Sequence, residues 1–155
     1  MSIDRGELES DLIWLLQRNG QRLRGGVDEV AREAGLRGGL RDYIVLTAVL
    51  VEERRSQVEL ARRIGIDKTT LVGVLDRLES QGLIERLAVP GNRRVSVPVA
   101  TERGRDVQDR VSKGRLAVEA VPGMSQAQLG QLRTLLLQLD AACEEAGMKM
   151  TGSCI

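Results

Sequence analysis

Histidine and phenylalanine are absent from this 155-residue chain, and its only aromatic residues are Trp14 and Tyr43. Without histidine the commonest general base and metal ligand is missing. Cysteine occurs twice, late in the chain, at Cys143 and Cys154. That excludes a disulfide framework and zinc-finger spacing, and it fits a reducing compartment. No run of 18 apolar residues occurs, so no membrane span is expected. The opening MSIDRGELESD is polar and acidic, unlike a secretory signal. A nucleotide-binding G-x-x-x-x-G-K-S/T loop is also missing. Gly35, Gly38 and Gly39 follow no strand pattern and read as an interhelical loop, not a phosphate cradle. No convergent nucleophile or acid–base group is visible. The expectation is a cytoplasmic, non-enzymatic chain with no metal, no cofactor and no membrane partner.

What is present is an uneven charge. The net is only +1, yet residues 54–94 carry nine Lys and Arg against five Asp and Glu. The remainder is therefore acidic by three. A basic segment in a roughly neutral protein is the electrostatic footprint expected of nucleic-acid binding.

The same segment has the clearest local pattern. Ser56 and Glu59 fit a capping box, and Val58, Leu60, Ala61 and Ile64 give the helix it opens an apolar side. Gly65 stands where a left-handed stop is needed, and Asp67 can cap the next helix. Leu71, Val74, Leu75 and Leu78 recur at three and four residues and predict an inward face. Lys68, Thr69, Thr70, Val72 and Gly73 remain on the outer face. Two helices across a short glycine-containing turn form a helix-turn-helix, whose second helix enters the major groove. Leu83–Val89 and Val95–Val99 then read as strands around the turn Pro90-Gly91-Asn92-Arg93-Arg94. Arg93 and Arg94 at this hairpin are suited to phosphate or minor-groove contact. Arg62, Arg63 and Arg77 are further candidates for the DNA backbone. Pro98 lacks an amide hydrogen, which predicts an edge strand.

The run QVELARRIGIDKTTLVGVLDRLESQGLIERLAVPGNRR, followed by ATERG, resembles the MarR (multiple antibiotic resistance regulator) family of winged helix-turn-helix transcription factors. The resemblance is close over the middle third and extends in layout to the whole chain. It departs at Val72-Gly73, where the family carries a polar residue and then often Arg. Asn92 stands for a common aspartate, and Ala100 for the usual Leu. Arginine is the commonest bidentate reader of guanine, so its absence from the reading helix bears on how bases are recognised. Gly73 costs about 1 kcal/mol relative to alanine in a helix. It either admits a close approach to DNA or is slack.

The flanks read as helices. Glu7 to about Glu33 carries Leu8, Leu12, Leu15, Leu16, Leu23, Val27 and Val30 at helical spacing, with Gly20, Gly25 and Gly26 as possible bends. Leu40–Glu52 is a second helix. Thr101 caps a helix to about Ala120, broken by Pro122-Gly123. Ser125 and Gln128 form a second capping box. Leu129, Leu132, Leu136, Leu139 and Cys143 then follow an a/d seam, the pattern by which helices pair.

The predicted fold is mainly α with a small β-wing. Residues 1–155 form one domain, with the winged lobe at 40–103, dimerisation helices at 1–34 and 104–147, and a disordered tail at 148–155. The expected function is sequence-specific transcriptional regulation, as a repressor, by a homodimer on a pseudo-palindromic double-stranded operator. The resemblance implies release by a small lipophilic or phenolic ligand, for which Trp14 and Tyr43 are pocket candidates. Core or interface packing is the competing reading for both. The alternative function is a winged-helix protein–protein module with weakened or no specific DNA binding.

Overall fold

The computed structural model describes residue 6 and residues 9–149, with the side chain of Arg93 excepted. The readings on Glu7, Leu8 and the tail from residue 150 onward lie outside the described residues. The elements are α1 (Leu12–Glu33), α2 (Leu40–Val51), α3 (Gln57–Ile64), α4 (Lys68–Ser80), β1 (Ile84–Val89), β2 (Asn92–Ala100), α5 (Glu102–Glu119) and α6 (Gln126–Glu145).

Apolar spacing on α2 decides the architecture. Val45, Leu46 and Val49 are buried on a helix that packs against α1, α3, α4, α5 and β2. The core collects Leu60 from α3, Leu71, Val74, Leu75 and Leu78 from α4, Ile84 from β1, and Val107 and Val111 from α5. Burying each such side chain contributes roughly 1.5–3 kcal/mol. All four inward residues expected on α4 are buried. Val58, expected on the apolar side of α3, is instead 64% exposed.

Helix ends follow the sequence chemistry. Ser56–Glu59 and Ser125–Gln128 are capping boxes, and Asp67 accepts from the Thr70 N–H. Gly65 ends α3 in the left-handed region at φ 77°. Asp11 caps α1 at Leu12 by accepting from the Trp14 N–H. The helix runs unbroken through Gly20, Gly25 and Gly26 to Glu33.

The N-terminus of α2 is capped from a distance. Gly39 offers no side chain, and the Leu40 N–H donates to Asp28 Oδ1 on α1 at 2.8 Å. Gly39 has φ 62°, and a Cβ there would overlap the Asp28 carboxylate. Glycine meets both requirements at that position.

The two strands form an antiparallel hairpin around the Pro90-Gly91 turn. Pairing runs from Ile84↔Ala100 to Ala88↔Ser96 and then jumps to Val89↔Asn92. Three residues of β2, Arg93, Arg94 and Val95, therefore have no counterpart and form a bulge. The second strand is longer than the expected Val95–Val99 because it resumes on the far side of this bulge.

The wing leads directly into α5. Thr101 Oγ1 accepts from the Gly104 N–H and donates to the Gly82 carbonyl, while the Thr101 N–H donates to Leu83 O. A Cβ at Gly104 would overlap the Leu83 carbonyl. The Thr-x-x-Gly spacing thus lets the helix start touch the backbone ahead of β1.

The terminal helices carry apolar residues the core leaves uncovered. On α6 only Leu129 is buried, while Leu132, Leu135, Leu136, Leu137 and Leu139 are exposed. On α1, Leu12, Ile13, Leu16 and Leu23 are exposed as well. Cys143 is a free, half-buried thiol in this single chain.

Candidate nucleic-acid interface

The four inward residues of α4 fix which side faces out. With Leu71, Val74, Leu75 and Leu78 in the core, Lys68, Thr69 and Gly73 are exposed, and Thr70 and Val72 are half-buried. The Thr70 hydroxyl is already engaged, donating to Asp67 Oδ2 at 2.5 Å. That bond and the Thr70 N–H hold the Asp67 carboxyl below its ordinary range. An ionised cap matches the positive end of the helix. It also places a negative charge beside any phosphate that approaches there. Nothing in the fold crowds a side chain at Gly73, where a Cβ would meet open space.

Arg62 is exposed on α3 and makes no ion pair among the described residues. Arg63 does: its Nε and Nη2 reach Glu52 Oε1 at 3.0 and 2.6 Å. This bond holds Glu52 below its ordinary value and ties α3 to the end of α2.

Arg77, a candidate for contact with the DNA backbone, is ion-paired within the fold. Its guanidinium grips Asp42 in a two-pronged pair, Nε to Oδ2 at 2.9 Å and Nη2 to Oδ1 at 2.5 Å. Asp42 is fully buried and also accepts the Gly38 N–H at 2.7 Å. A buried carboxylate needs such partners. The charge of Arg77 is therefore spent inside the protein, holding α4 to α2.

On the wing, Arg94 is exposed and its N–H donates to Asn92 Oδ1 at 3.2 Å. Asn92 supplies the acceptor oxygen that an aspartate would supply at that place. The side chain of Arg93 lies outside the described residues. Arg86, which the sequence did not single out, braces the hairpin by bridging from β1 to Asp76 (2.6 Å) and Glu79 on α4. The second helix of the helix-turn-helix and the wing are thus locked together by an arginine between two carboxylates three residues apart. Only that i, i+3 acidic pair hinted at it in the sequence.

Trp14 and Tyr43 do not share a cleft. Trp14 is half-buried with the Arg18 guanidinium 4.7 Å above its ring. Tyr43 is buried in the core, where Arg115 reaches it from α5. Neither lines the open cleft of about 460 Å³ between α1 and α2, which is bordered by Arg24, Asp28, Arg32, Gly38, Leu40 and Arg41. Nor do they line the smaller one, about 160 Å³, near Glu53, Arg54 and Arg105. No helix among the described residues is long and apolar enough to cross a membrane.

A family model described as "MarR family" matches residues 41–96. The chain is 30% identical to a transcriptional regulator (MarR family) from Rhodococcus sp. RHA1, with 89% of this chain and 96% of that one covered and a TM-score of 0.76. It is 29% identical to CouR from Rhodococcus jostii RHA1 in a structure bound to p-coumaroyl-CoA, covering 93% and 97% of the two chains with a TM-score of 0.71. The transcriptional repressor CouR bound to a 23-mer DNA duplex matches at 25% identity, 93% and 99% coverage, and a TM-score of 0.73.

Proposed function

This chain belongs to the MarR family of transcriptional regulators, and from that premise we propose that it works in the cytoplasm as a homodimeric repressor on a pseudo-palindromic operator. The observation that carries the reading is the outward end of α4. Its helix start is exposed, its opposite face is fully buried, and an arginine-bearing bulge stands on the hairpin braced against it. A similar chain, CouR, is a repressor seen on a DNA duplex.

In this reading Lys68, Thr69, Thr70, Val72 and Gly73 face the major groove. Lys68 and the N–H groups of the helix start meet phosphate. Val72 offers an apolar contact to a thymine methyl group. Arg94 and Arg93 lie along the minor groove, and Arg62 touches the backbone. Arg77 and Arg63 contribute indirectly, through the helices they hold in place. The exposed leucines of α6 and the apolar start of α1 are the dimer surface, which puts two reading helices roughly 34 Å apart. A small molecule releases the operator by favouring another spacing of the two heads. The p-coumaroyl-CoA held by CouR supports an effector with a phenolic or lipophilic part.

The test is selection of bound duplexes from a random pool, followed by titration of the selected site across salt. Arg94→Ala should weaken binding to every sequence and lower the slope of log affinity on log salt by about one unit. An unchanged slope removes the wing from the interface. Failure to enrich any sequence removes the operator.

A further inference from the structure

We infer that this chain selects its operator by thymine methyl groups and not by guanine, with Val72 as the residue that sets the choice, an inference that rests on the operator reading above.

The outer stripe of α4 is poor in hydrogen-bonding groups. Thr69, Val72, Gly73 and Asp76 recur at three and four residues along the side opposite Leu71, Val74, Leu75 and Leu78. Thr69, Gly73 and Asp76 are exposed, and Val72 is half-buried. In the major groove bases are told apart by long polar side chains: arginine or lysine on guanine, asparagine or glutamine on adenine, a carboxylate on cytosine. The stripe holds no guanidinium and no carboxamide. Its one carboxylate, Asp76, is bonded to Arg86 of β1 at 2.6 Å. Polar neighbours are committed as well: the Thr70 hydroxyl donates to Asp67, and Arg77 is paired with Asp42. Lys68 stands in the first turn, ahead of the stripe, and carries a point charge suited to phosphate.

What the stripe presents is carbon. Val72 offers two methyl groups and Thr69 one. Beside Val72, Gly73 has no side chain, and a Cβ there would meet nothing within 4 Å. No longer neighbour at that position holds the Val72 isopropyl group away from a base edge. Thymine is the base that shows a methyl group in the major groove. Contact between the two takes apolar surface out of water and leaves no polar group unpaired. A guanine in the same place would turn its N7 and O6 acceptors toward the isopropyl group, where nothing donates to them. Val72 therefore favours thymine and penalises guanine at once.

The operator selected from a random pool tests this, with each thymine of a half-site replaced in turn by deoxyuridine. Deoxyuridine lacks only the C5 methyl, and its minor-groove edge is that of thymine, so contacts of the wing arginines are left alone. Fluorescence polarisation at fixed salt should show at least one position where the replacement weakens binding about fourfold, the worth of one buried methyl group. Val72→Ala should bind the thymine operator more weakly and be indifferent to deoxyuridine at that position. If Val72→Ala does not fold, Val72→Thr keeps the shape with a hydroxyl for one methyl, and should lose about half of the thymine preference.

Binding that is indifferent to deoxyuridine at every thymine overturns the methyl reading and leaves the operator standing. A greater loss on 7-deazaguanine, which lacks the N7 acceptor, than on any deoxyuridine assigns the choice to Lys68 on guanine and overturns it too. A deoxyuridine effect undiminished in the Val72 variant removes Val72 from the contact. A pool that enriches no sequence ends the operator reading, and the thymine preference with it, so enrichment tells the two failures apart.

Discussion

Asp42 occupies a position in α2 that the helix periodicity assigns to the interior, and a carboxylate there is expensive unless every oxygen is answered. Here Arg77 takes both oxygens and Gly38 adds a backbone N–H. Asp42→Ala should cost about 2–3 kcal/mol in urea unfolding. That is a little under the usual figure for breaking a buried pair, because about a third of the Arg77 side chain remains in water. A loss below 0.5 kcal/mol would show the pair to be incidental. The sequence marked Arg77 as basic and outward and passed over Asp42, since the two are 35 residues apart and no local pattern joins them. Thr70 teaches the same lesson at short range. Its place in the first turn of α4 was legible, but the bond that turns its hydroxyl toward Asp67 is decided by the fold.

At the scale of elements, α4 and the wing are braced together by Arg86. The inward face, the caps and the turn of α3–α4 all followed from spacing, because each is a local rule with a period of three or four residues. The bulge at Arg93, Arg94 and Val95 did not, because register depends on which residue of β1 each residue of β2 meets. Gly73 is where element and function separate. The fold makes no demand for glycine there, so Gly73→Ala should raise stability by about 1 kcal/mol. If the backbone approaches the duplex at that point, the same variant loses operator affinity by polarisation. Unchanged affinity gives Gly73 no part in the contact.

For the whole molecule, the apolar side chains left uncovered on α1 and α6 are the surface that the proposed dimer would bury. Leu132→Glu with Leu136→Glu should convert the protein to single subunits by sedimentation and weaken operator binding with it. A single-subunit mass for the unsubstituted protein at micromolar concentration would remove the dimer.

Acid should unfold the chain in a definite window. Asp28, Glu52, Glu59 and Asp67 all titrate below their ordinary values of 3.8 and 4.5. The leading partners are Arg32, Arg63, the Ser56 N–H and the Thr70 hydroxyl, respectively. A carboxyl whose folded value is depressed contributes stability above its unfolded value and loses it as pH falls through the folded one. The urea midpoint should therefore hold from pH 7 to about 5.5 and fall below about 4.5, and Asp28→Asn should flatten part of that fall.

By itself the sequence determined the helix boundaries from Ser56 onward, the helix-turn-helix, the existence of the wing and the surplus of leucine on the last helix. Each of these is written in caps, turn residues and apolar spacing between near neighbours. Only the tertiary structure decided which arginines are spent on carboxylates inside the fold, that three residues of the wing bulge out, and that Arg24, Asp28, Arg32 and Arg41 border one cleft between α1 and α2. Several of those outcomes depend on pairings across 10 to 35 residues. Over such distances a charge or an N–H can choose among many partners, and only packing settles the choice.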